Sequence, residues 1–147
     1  MAASTLQNIE INATPQQCFD VASGLEDYPV WASEVKNVNV VEVDEQGLPA
    51  VVELTIDAMI KRITTRFVYV YDAPHSMKWT AEPNSDIKQL EGSYEFTEVE
   101  GGTSVVYALR VTPAFTIPGF LRRQAERQLV GTALRGLRKR VESLTGS

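Results

Sequence analysis

The last thirty residues constrain the fold of this chain more than any other stretch. From Pro118 the sequence PGFLRRQAERQLVGTALRGLRKRVESL reads as one long helix. Leu121, Ala125, Leu129, Ala133, Leu137 and Val141 recur every four residues, and Val130, Leu134 and Leu144 widen the apolar stripe. The opposite face is strongly basic. Such a helix must lay its stripe on something, and upstream lies a run of β-strands with little other helix. A long helix laid across a curved sheet makes a container.

At 147 residues, with 44% hydrophobic and 22% charged side chains, the chain is expected to be one domain, residues 1–147, with a core of its own. The lone Cys18 cannot form an internal disulfide, which suits a reducing compartment. The start, MAASTLQNIEI, lacks a basic segment followed by an apolar run, and no stretch is long and apolar enough to span a membrane. A soluble, cytoplasmic protein is the expectation.

The net charge of −5 is unevenly spread. From Gly119 onward, seven basic residues (Arg122, Arg123, Arg127, Arg135, Arg138, Lys139 and Arg140) face only Glu126 and Glu142. The rest holds the other seven basic residues and seventeen acidic ones. Two readings of the basic face stand. It is a solvated surface whose cations suit a helix C-terminus, or it docks on anionic lipid headgroups or ribosomal phosphates. The acidic body argues against DNA binding.

The organisation follows from periodicity and punctuation. Residues 4–12 read as a first strand. Thr14 then caps a helix opened by Pro15 and closed by Gly24, and a second short helical segment follows over LEDYPVWAS. From Val35 the period is two: Val38, Val40 and Val43 make a strand ended by Asp44-Glu45-Gln46-Gly47. Residues 50–72 are too long for one strand, which places a tight hairpin near Ile60-Lys61-Arg62. SMKWTAE is the next strand. Lys88, Leu90, Gly92, Tyr94 and Phe96 then share one face of a strand, and Val105, Tyr107, Leu109 and Val111 one face of its partner beyond the Gly101-Gly102 turn. Pro113 stops the sheet. The fold class is α+β, a seven-stranded antiparallel sheet curved around the C-terminal helix, with two short helices between strands 1 and 2.

Several segments resemble the START-like superfamily, the polyketide cyclase/dehydrase and lipid-transport group with the helix-grip fold. GLEDYPVWASEVKNVNVVE, with Asp27-Tyr28-Pro29 and Trp31, resembles the loop after the second helix in the coenzyme Q-binding and ribosome-association-toxin branches. QLEGSYEFTEVEGGTSVVYALRVTP resembles their paired strands, and PGFL with the terminal helix their lid. The resemblance implies an elongated cavity between sheet and helix. On this chain its lining would be Trp31, Ile56, Trp79, Leu90, Tyr94, Tyr107, Leu109, Phe120, Leu129 and Ala133. The implied partner is a small hydrophobic ligand such as a lipid, quinone or polyketide, held by a monomer or weak dimer. Gly131 and Gly136, inside the helix, allow close packing on the strands or leave room for a ligand.

No catalytic motif is present: no GxSxG, no phosphate-binding glycine loop and no HExxH. His75 reads as a turn residue and Cys18 as small core filler. Arg66 and Arg110 face solvent by parity with Phe67 and Leu109. No catalytic residue, metal site or cofactor is expected. Three functions compete: a non-enzymatic carrier or sensor, a polyketide cyclase or aromatase working through cavity shape, and a ribosome-associating regulator using the basic helix face.

Overall fold

The computed structural model describes residues 5–58 and 61–146. Its elements are β1 (Thr5–Ile11), α1 (Pro15–Ser23), a 3-10 turn (Leu25–Asp27), α2 (Tyr28–Trp31), β2 (Val35–Val43), β3 (Pro49–Asp57), β4 (Arg62–Asp72), β5 (Ser76–Ala81), β6 (Ile87–Val99), β7 (Gly102–Pro113) and α3 (Gly119–Thr145). The strands form one antiparallel sheet in the order β1-β7-β6-β5-β4-β3-β2. The α+β arrangement read from the sequence, a seven-stranded sheet gripping a long terminal helix, is the observed one.

Local chemistry fixes the boundaries. Thr14 and Gln17 close a reciprocal capping box, the Gln17 amide donating to Thr14 Oγ1 (3.1 Å) and the Thr14 amide to Gln17 Oε1 (2.9 Å). At the β6–β7 turn Gly101 takes a φ of 84°, a left-handed conformation that side-chain-bearing residues resist. Ile60, in the expected β3–β4 hairpin, lies outside the described residues. On either side of it Asp57 pairs with Arg62, so Arg62 belongs to β4 rather than to the turn.

Alternation along the strands buries one face of the sheet. Val52, Leu54, Phe67, Tyr69, Met77, Trp79, Tyr94, Phe96, Val105, Tyr107 and Leu109 point inward and are buried. Lys88 departs from the expected pattern. A register shift between Ile87 and Gln89 inserts a bulge, so Ile87 points inward and Lys88 is exposed. Arg66 is exposed, and Arg110 lies half-buried on the outer face.

Helix α3 runs along β1 and over β7, and also touches α1 and α2. Three bonds fasten it to β1 and the residue after it: Thr5 Oγ1 donates to Glu126 (2.8 Å), Gln7 Nε2 to the Arg127 carbonyl (3.2 Å), and the Asn12 backbone N–H to Glu142 (3.0 Å). Glu126 is consequently buried, with Arg122 Nε at 3.7 Å completing its surroundings. The fully buried stripe is Val130, Leu134, Leu137 and Val141. A four-residue row drifts by about 40° per step on a helix of 3.6 residues per turn. The row beginning at Leu121 therefore turns from core-facing at Leu137 to cavity-facing at Leu129 and Ala125. Leu144, expected in the stripe, is 60% exposed. Arg123, Arg127, Arg135, Arg138 and Lys139 are all exposed. At Gly136 helix α3 packs on Trp31, whose ring would lie in ordinary contact, 3.5 Å, with an added Cβ. Among the described residues no helix is long and apolar enough to cross a membrane.

Candidate functional site

Between α3 and the inward face of the sheet lies a chamber whose wall is mostly aromatic. Tyr28 and Trp31 come from α2, Phe67 and Tyr69 from β4, Trp79 from β5, Tyr94 from β6 and Tyr107 from β7, with Leu129 and Ala133 from α3. Alternation puts these rings on one face, and cross-strand pairing puts them side by side. Trp79 and Gly92 stand directly opposite, as do Tyr94 and Tyr107. The Tyr94 and Tyr107 rings meet edge to face at 4.8 Å, and Trp79 lies 5.4–5.7 Å from Tyr69, Tyr94 and Tyr107. This packing depends on Gly92. A Cβ there would fall inside the indole of Trp79, so the ring can lie flat over β6 only because position 92 has no side chain.

Leu129 is the junction of the site. It lines the inner chamber, and it also lines an apolar antechamber formed by Ile63, Leu109, Val111, Phe115, Ile117 and Ala125 among others. It faces as well an open groove between α3 and the ends of β2 and β3, where Ser33, Lys36, Asp57, Gln128 and Thr132 supply polar walls. The chamber and the antechamber each hold about 60 Å³, room for only a few water-sized molecules. The outer end of the antechamber is tied by the Lys61–Asp86 ion pair, with the Lys61 ammonium 5.5 Å from the Phe115 ring centre.

Of the residues expected to line a cavity, Trp31, Ile56, Trp79, Tyr94, Tyr107, Leu129 and Ala133 are brought together around the inner chamber. Leu109 faces the antechamber. Leu90 is buried in the core one inward step along β6, off the chamber wall, and Phe120 is 66% exposed in the first turn of α3. Tyr28, Glu34, Val35, Leu54, Phe67 and Tyr69 also line the chamber. Parity on β3 and β4 could have found Leu54, Phe67 and Tyr69. Glu34 had no such signal, because it precedes β2 in a segment without period.

The polar chemistry of the chamber is unusual. Tyr28 spends its hydroxyl on the Ala22 carbonyl, and Tyr71, just outside, on the Pro49 carbonyl (2.6 Å). The hydroxyls of Tyr69, Tyr94 and Tyr107 have no hydrogen-bond partner among the described residues. Burial pushes all three phenols above their ordinary value, so they stay neutral donors. Glu34 Oε2 is enclosed and likewise unpaired. Burial raises the Glu34 carboxyl, only partly offset by a backbone hydrogen bond and by Lys36. None of the chamber-lining residues is a lysine, arginine or histidine.

The raised carboxyl has a measurable consequence. The folded state holds the Glu34 proton more tightly than the unfolded state, so this group favours folding at low pH and that contribution is lost as pH rises through the folded value. Glu34→Gln should therefore raise Tm at neutral pH by about 2–4 °C, as relief of one poorly satisfied buried group would. The gain should vanish below about pH 4, where ordinary glutamates are protonated. Thermal melts of both proteins across this range check it, and a lower Tm for the variant at neutral pH would mean that the carboxylate has a stabilising partner.

The remaining titratable candidates lie elsewhere. Cys18 is buried in the core, its thiol raised by that burial and partly offset by Thr103. His75 is exposed in the β4–β5 turn. Among the described residues no group of three or more His, Cys, Asp and Glu side chains is placed to hold a metal ion.

Comparisons with known proteins place this architecture. The family model described as polyketide cyclase / dehydrase and lipid transport matches residues 2–142. No curated protein matches the chain. Among solved structures, a START superfamily protein from Mycobacterium smegmatis is similar, with TM-score 0.89 and 17% identity over 97% of this chain and 99% of that one. A Thermus thermophilus protein aligns with TM-score 0.80 and 24% identity over 97% and 99% of the two chains. The Zhui aromatase/cyclase from a Streptomyces species aligns with TM-score 0.75 and 11% identity over 95% and 93%. At these identities the structural likeness speaks for the fold.

Proposed function

Given that the chain belongs to the polyketide cyclase / dehydrase and lipid transport family, we propose that it binds and carries a small hydrophobic ligand, lipid-, quinone- or polyketide-like, between the sheet and α3. The observation that carries this reading is the aromatic chamber joined through Leu129 to an apolar antechamber and an open groove. Ligand sites are mostly apolar concavities with a few polar groups to orient the guest, and this one has three phenols with unpartnered hydroxyls and one carboxyl. The guest enters along the groove beside α3 and moves Leu129 aside.

Native mass spectrometry of protein purified without detergent tests the reading. A co-purifying apolar molecule, or saturable uptake of an added one, is the expected result. Protein that is always empty and takes up none would overturn it. Leu129→Trp should block the junction and weaken binding of an apolar probe at least tenfold, about 1.4 kcal/mol, while circular dichroism shows the fold intact. Unchanged affinity would place the ligand elsewhere.

A second reading, a cyclase-type enzyme acting on the bound molecule, is favoured by Glu34. A partly desolvated carboxyl beside neutral phenols is a candidate for moving a proton at a ligand carbon. It uses the same chamber and predicts turnover that Glu34→Gln abolishes while binding persists.

A further inference from the structure

The chamber has a polar end with a definite sign. Glu34 lies where the inner chamber meets the groove, lining both. One carboxylate oxygen is enclosed without a hydrogen-bond partner. Tyr94 and Tyr107 line the same chamber within electrostatic range of it, each with a hydroxyl free of protein partners among the described residues. The chamber wall supplies no cation, and the nearest one, Lys36, is exposed on the groove side. A guest reaching this end meets a carboxyl that only accepts once it is ionised, phenols that can donate or accept, and ring faces.

We propose that Glu34 selects the ligand by its buried end, admitting a hydrogen-bond donor, either a hydroxyl or an ammonium, and rejecting an anion. The inference rests on the carrier reading above and names its ligand class. A hydroxyl donates to Glu34 and accepts from Tyr94 or Tyr107, satisfying groups that the protein leaves unpaired. An ammonium donates to the same carboxylate and is attracted to the surrounding ring faces. A carboxylate or phosphate finds no counter-charge and is placed beside a like charge inside an apolar wall. The natural ligand is thus an alcohol, phenol or amine on an apolar skeleton, rather than a fatty acid or phospholipid held by its acidic head.

Calorimetric titration with four probes on one skeleton tests this: naphthylmethanol, naphthylmethylammonium, naphthoate and methylnaphthalene, at about pH 8, above the ordinary carboxyl range. The alcohol or the ammonium should bind at least about tenfold more tightly than naphthoate. Preference between the two separates a neutral hydrogen bond from charge pairing. Glu34→Gln should weaken the ammonium about tenfold and narrow the gap to naphthoate, leaving methylnaphthalene unchanged. Naphthoate binding as tightly as the alcohol, or an unaltered gap between ammonium and naphthoate in Glu34→Gln while methylnaphthalene still binds, would overturn the proposal and leave the carrier reading standing. If none of the four binds, both fall. The wild-type ranking decides the question even without the variant.

Discussion

Gly92→Ala is expected to cost this protein both stability and ligand capacity, an outsized effect for one methyl group. The added Cβ would fall inside the Trp79 indole, and the rings flanking it leave the chamber as the one direction in which it can yield. Tyr69, Tyr94 and Tyr107 all lie within 5.7 Å of it, centre to centre. Overpacking of this kind costs about 1–3 kcal/mol, a fall in Tm of about 3–9 °C for a chain of this size. Because the displaced ring must move into the chamber, binding of an apolar probe should drop together with Tm. Trp79→Phe combined with Gly92→Ala should be less destabilised than the sum of the two single changes, since the smaller ring leaves room for the methyl. Wild-type melting and binding for Gly92→Ala alone would refute the proposed seating of Trp79.

Leu137→Ala should be costlier still in stability. Leu137 is wholly buried beneath α3, between turns that carry Leu134 and Val141. Truncating such a leucine costs about 2–5 kcal/mol, the spread reflecting how far the surroundings collapse. Denaturant unfolding should show a lower midpoint with an unchanged slope. Leu144→Ala is the matched control: the same residue type on the same helix, but 60% exposed and expected to change stability by less than about 0.5 kcal/mol. Equal losses at the two positions would mean that the helix face is wrongly assigned.

Much of this was legible in the sequence, for identifiable reasons. Strand alternation placed Trp79, Tyr94 and Tyr107 on one face because side-chain direction in a strand has a period of two, and the structure brings them together. The terminal helix showed its core stripe through Leu137 and Val141. Legibility failed where the period broke. The bulge at Ile87–Gln89 turned Lys88 outward, and nothing in the local sequence announces it. Glu34 follows a short helix in a segment with no repeat to tell which way it points. Glu126 reads as one more charge on a solvated helix, yet it is buried against Thr5, far away in the chain. Such pairings are made by tertiary structure, and local pattern carries no trace of them.

The placement of the two tryptophans has a practical consequence. The chain contains only Trp31 and Trp79, and both line the chamber, Trp31 half-buried on α2 and Trp79 buried on β5. Indole emission responds to the polarity and quenching of its surroundings, so the protein carries its own optical reporter of occupancy. Trp31→Phe would leave emission from the sheet side alone, and Trp79→Phe from the α2 side alone. Stopped-flow traces of the two would time a guest's arrival at each wall separately, without attaching any dye.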